Sequence, residues 1–135
     1  MSTKNEYMLL FVSNEWYNQL PESEIKQAAA QAKAWLEGLI NRGVAQHGHA
    51  LVRAGARVTG KTARVITDGP YPESKEAIGG FMTLKAESLE VAAAIAQTNP
   101  MIQYGLTIEI RQINDVCPLD ARVRELEQEP ATAAA

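Results

Sequence analysis

Between Glu6 and Ser13, apolar side chains occupy both parities of an extended chain. Tyr7, Leu9 and Phe11 point one way, and Met8, Leu10 and Val12 the other. A strand apolar on both faces belongs in the middle of a sheet, covered on both sides. After a polar connection the period changes. Ile25, Ala28, Ala29, Ala32, Leu36, Leu39 and Ile40 recur at spacings of three and four, with Trp35 on their flank. That is the stripe of an amphipathic helix. Pro21 suits its first turn, where a missing N–H costs nothing, and Glu22 and Glu24 favour its positive end. Asn41-Arg42-Gly43 closes it, glycine taking the left-handed cap conformation.

Val44–Arg53 reads as loosely extended. Ala56–Thr59 and Thr62–Thr67 predict the arms of a hairpin turning at Gly60-Lys61. Asp68-Gly69-Pro70 interrupts it as a turn. Gly79–Ala86 predicts another strand, with Phe81 opposed to Met82 and Leu84. Ser88 is the N-cap of a helix over Leu89–Thr98, whose buried side is Leu89, Ala92, Ala93 and Ala96. Alanine there lets the helix lie close to its sheet. Pro100 follows, and Leu106–Ile113 predicts the last strand, with Leu106, Ile108 and Ile110 inward. Beyond it, 114–135 reads as a tail, with a short helix around Leu119–Glu127 and a frayed, disordered end.

The expected fold class is therefore α+β: a ferredoxin-like β-α-β-β-α-β domain over residues 6–113 with an inserted hairpin. Two helices cover one face of such a sheet. The other carries Met8 or Tyr7 and their neighbours, too apolar to leave in water. A second copy packed sheet against sheet covers it, so a twofold homodimer through the open sheet face is expected.

Composition narrows the function classes. The 135 residues suit one domain, and 46% apolar with 21% charged residues is ordinary globular usage. Cys117 is the sole cysteine, which suits a reducing, cytoplasmic setting. The apolar run Tyr7 to Val12 is too short for a membrane span. A net charge of −3 gives no general attraction to nucleic acid. The stretch from Arg42 to Arg64 is locally basic, with Arg53, Arg57, Lys61, His47 and His49 and no acid. It reads either as a solvated surface or as a contact for a small anion.

The least generic passage is Thr67-Asp68-Gly69-Pro70-Tyr71-Pro72-Glu73-Ser74-Lys75-Glu76, followed by Ala77-Ile78-Gly79-Gly80-Phe81. Its glycines permit torsions other residues resist, and its prolines stiffen a loop dense in ionisable groups. This passage resembles the signature of the YCII-related superfamily, in the branch named for its Asp-Gly-Pro-Phe sequence. The likeness lies in Asp68-Gly69-Pro70-Tyr71, Glu73, Lys75-Glu76 and Gly79-Gly80-Phe81, supported by the first strand, Trp35, Asn99-Pro100 and Glu109-Ile110-Arg111. The resemblance implies a dimeric ferredoxin-like α/β barrel. It also implies a His–Asp pair in the broader superfamily, and here this chain departs. No histidine lies between Pro21 and Gly43, and the expected Asp-Pro step is Asn99-Pro100. An amide cannot take up a proton as a carboxylate can, so acid–base work by that pair is not expected.

Asp68 and His47 are the candidate catalytic residues, and Tyr71, Glu73, Lys75, Glu76 and His49 the candidate ligand contacts. Asp68 is either a base or anchor, or a turn-maker bonded to its own backbone. His47 and His49 share a face on a regular strand and are either a proton-transfer partner for Asp68 or polar surface. Without a cysteine cluster, HExxH, phosphate loop or dinucleotide fingerprint, no metal or cofactor is expected. Two functions fit: a homodimeric domain binding a small molecule, with lyase- or isomerase-like acid–base chemistry, or a non-catalytic regulatory or interaction module whose motif loop is structural.

Overall fold

The computed structural model describes residues 5–12, 16–52, 54–66 and 78–128. The apolar first strand forms β1 (Asn5–Val12), which leads through a 3-10 turn (Trp16–Gln19) to α1 (Glu22–Asn41). Then follow β2 (Ala45–Ala50), β3 (Arg57–Thr59), β4 (Arg64–Ile66), β5 (Ile78–Ala86) and α2 (Leu89–Gln97). A second 3-10 turn (Pro100–Tyr104), β6 (Thr107–Gln112) and α3 (Pro118–Gln128) complete the described chain.

The main sheet runs β2-β5-β1-β6, with every pairing antiparallel. That order, with a helix crossover between β1 and β2 and another between β5 and β6, is the ferredoxin-like plan. β1 sits in the interior of the sheet, as its two-sided apolarity requires. Tyr7 and Leu9 are buried with Leu39, Met82, Leu84, Ala92 and Ala96, and Phe11, Trp35, Leu36, Ile95, Ile108 and Ile110 pack against them. Met8, Leu10 and Val12, of the opposite parity, are half-buried on the face that α1 and α2 do not cover.

Several local expectations need correction. Ala29 and Ile40 lie outside the buried stripe of α1, and Trp35 lies within it. Burial follows Ile25, Ala28, Ala32, Trp35, Leu36 and Leu39, and Ala29 and Ile40 each stand one residue, about 100° of rotation, beyond it. Leu89, at the first residue of α2, is half exposed, and Ile95 contributes to the core instead. The loosely extended stretch is a regular edge strand, β2, interrupted between Ala45 and His47. The hairpin arms are shorter than expected and turn over Gly60–Ala63, with Ala63 itself at φ +53°. They form a two-stranded sheet of their own, so the insertion does not widen the main sheet.

The helix in the tail is present as α3, with none of its residues buried. Residues 129–135 lie outside the described residues. Among the described residues, no helix is long and apolar enough to cross a membrane.

Candidate functional site: an apolar cavity between the first helix and the sheet

β2 and β5 carry glycines where they face α1. The register sets Gly80 opposite Phe11, and Met82 opposite both Leu9 and Gly48. A Cβ on Gly80 would stand 3.1 Å from the His49 carbonyl oxygen and 3.6 Å from Phe11 Cδ2. The bare backbone leaves room beneath α1, and a cavity of about 370 Å³ opens there. Phe11, Ala32, Trp35, Leu36, Met82, Met101 and Leu106 make its apolar wall.

Two of these positions are held by polar contacts that turn away from the cavity's apolar lining. Trp35 Nε1 donates to Thr98 Oγ1 at 2.7 Å, and Thr98 Oγ1 donates onward to the Ile95 carbonyl at 2.6 Å. The indole N–H is thereby satisfied, and the ring serves as apolar wall. Asn99, 6% exposed, accepts the Met101 amide N–H through Oδ1 at 2.7 Å. It thus caps the turn Pro100–Tyr104 that carries Met101 to the cavity.

Of the residues singled out by sequence, His49 borders this cavity through its backbone, whose carbonyl oxygen faces Gly80. Its ring lies on the other face of the sheet, tilted 52° against its register partner Phe81 at a centroid separation of 5.8 Å. His47 pairs with Thr83 in the register of β2 and β5. Asp68, Tyr71, Glu73, Lys75 and Glu76 lie outside the described residues. Sequence reasoning did not assign Phe11, Trp35, Asn99 or Met101 to a site. For Trp35 and Asn99 the signal was present, one as an aromatic residue beside the helix stripe and the other as a departure from the superfamily's Asp-Pro step.

Cys117 stands apart from the cavity, exposed at the start of α3. Its thiol pKa is drawn below the usual range, first by the Asp120 backbone N–H and then by that of Leu119. Among the described residues, no group of three or more His, Cys, Asp or Glu side chains is placed to hold a metal ion.

The family of YCII-related domains matches residues 7–116. No curated protein matches the chain. Among solved structures it is similar to 5-chloro-2-hydroxyhydroquinone dehydrochlorinase from Burkholderia phenoliruptrix AC1100, in complex with 2,5-dihydroxybenzoquinone. The identity is 20% and the TM-score 0.48, over 81% of this chain and 92% of that one. The family match runs unbroken from the core residue Tyr7 in β1, through the cavity wall, to the far side of β6: the chain belongs to the YCII-related domain family.

Proposed function

We propose that this protein is a homodimeric small-molecule-binding domain of the Asp-Gly-Pro-Phe branch, which takes a neutral ring-sized ligand into the cavity between α1 and the sheet. The observation that carries this reading is the wall itself: Phe11, Trp35, Leu36, Met82 and Met101 converge on about 370 Å³ of space. That volume lies at the lower end of the ~300–1,000 Å³ typical of ligand sites. An apolar hollow of this size forfeits dispersion contacts that a ligand restores.

The motif supports the same reading. Its last acid, Glu76, stands three residues before Gly79, and Gly79 and Gly80 line the cavity. In this proposal Asp68 is the anchor or base, and Tyr71, Glu73, Lys75 and Glu76 contact the ligand's polar edge, while His47 and His49, paired with Thr83 and Phe81, belong to the open face. Among the described lining residues there is no carboxylate, and Asn99 occupies the position of the superfamily's aspartate. This favours binding over lyase- or isomerase-like proton transfer.

A second copy covers the open face of the sheet. Met8, Leu10, Val12 and Phe81 give that face an apolar centre. The lone exposed thiol suits residence in the reducing cytoplasm.

Thermal denaturation in the presence of ethylbenzene tests the reading. The melting temperature rises with ligand, by the equivalent of about 2.7 kcal/mol at a hundredfold excess over Kd. Ala32→Phe fills the wall and abolishes the rise while the far-ultraviolet circular dichroism is kept. A wild-type protein indifferent both to the hydrocarbon and to its ketone analogue acetophenone contradicts the proposal and favours the interaction module with a structural motif loop.

A further inference from the structure

An amide at the wall of an apolar cavity needs an account of all its hydrogen-bonding groups. The backbone N–H of Asn99 donates to the Ala96 carbonyl at 3.0 Å, and its carbonyl accepts from the Ile102 amide at 3.3 Å. Its side-chain Oδ1 accepts from the Met101 amide at 2.7 Å. The side-chain NH2 is the group that remains. Among the described residues, the buried side-chain atoms left without a partner are Gln31 Oε1 and Thr83 Oγ1, and the Asn99 nitrogen is not one of them. In a residue only 6% exposed, an amide nitrogen that is neither sealed in nor bonded to a described residue opens onto the cavity that the residue lines.

Its direction is set as well. Rotating the amide by half a turn would bring NH2 against the Met101 N–H and leave two donors facing each other. The oxygen therefore stays with the backbone and the nitrogen with the cavity. The Trp35 indole on the same wall has its N–H bonded to Thr98.

We infer that Asn99 determines the ligand specificity of this cavity: its side-chain NH2 donates a hydrogen bond to an acceptor oxygen on the ligand, selecting ring compounds that carry a carbonyl. The inference rests on the cavity reading above and adds the ligand class to it. A hydrocarbon of the same shape leaves the buried NH2 without a partner, whereas a ketone oxygen satisfies it. A net hydrogen bond of this kind is worth roughly a five- to tenfold preference.

Three probes on one skeleton test this: ethylbenzene, acetophenone and 1-phenylethanol, titrated calorimetrically into the full-length protein and into Asn99→Asp. The aspartate keeps an oxygen for the Met101 amide and replaces the donor with an acceptor. The expected result is that the acetophenone-to-ethylbenzene affinity ratio falls about tenfold in N99D, and that N99D prefers 1-phenylethanol, which can donate, to acetophenone. Asn99→Ser, whose hydroxyl retains the cap and removes the NH2, lowers the same ratio and covers the case in which the buried aspartate impairs folding. A ratio unchanged in both variants while the probes still bind overturns the role of Asn99 and leaves the cavity reading standing. Failure of all three probes to bind the wild type overturns the cavity reading and this inference with it.

Discussion

At the scale of single residues, one backbone position on the cavity wall is closely hemmed in. Gly80 lies in β5 between β2 and β1, and a methyl group there would press on the His49 carbonyl at 3.1 Å. That oxygen belongs to the backbone of a paired strand, so it cannot swing aside as a side chain can. Gly80→Ala therefore costs about 1–3 kcal/mol in urea denaturation, as overpacking does. Unchanged stability would show that the strands have room to separate. The parity of β1 was legible in the sequence, because Tyr7, Leu9 and Phe11 need only a period of two to be sorted from Met8, Leu10 and Val12. The contact that fixes Trp35 was not, although its place beside the stripe was. Its N–H finds Thr98 across 63 residues of chain, and no local period records so distant a contact. For Asn99 the departure from Asp-Pro was legible, but not which way its amide turns.

At the scale of elements, local chemistry was more readable. Ser88 caps α2 as its position suggested, with Oγ accepting the Val91 N–H at 3.2 Å. Alanines at 92 and 96 are buried beneath that helix. The hairpin was misjudged because Ala63 adopts the left-handed region, which a non-glycine residue does not advertise. The start of α3 yields a measurable consequence. The Asp120 and Leu119 N–H groups stabilise the Cys117 thiolate and lower its pKa. The folded thiol therefore ionises at lower pH than the unfolded one. The linked stability is fully present above the unfolded pKa and fades as pH falls through the folded pKa. Iodoacetamide should label Cys117 in native protein at a pH where the urea-unfolded chain still reacts slowly. Coincident pH–rate profiles for the two states would show that the helix start does not hold the thiolate.

At the scale of the whole molecule, the alternation of strands and helices was enough to anticipate a ferredoxin-like plan, with which the β2-β5-β1-β6 order agrees. It was not enough to see that β3 and β4 pair only with each other among the described strands, since membership of a sheet is settled by long-range pairing. The account assigns different work to the two faces of one sheet. The face beneath α1 holds the ligand, and the open face meets a second copy. The methionines report on both, for Met82 and Met101 line the cavity and Met8 stands on the open face. The most direct measurement is therefore the methyl spectrum of protein labelled at its methionines, followed first through addition of acetophenone and then through dilution. The account predicts that the ligand moves the Met82 and Met101 signals and spares Met8, while dilution moves Met8 and spares the other two. A ligand that leaves Met82 and Met101 in place, or a Met8 signal indifferent to dilution into the nanomolar range, would contradict it.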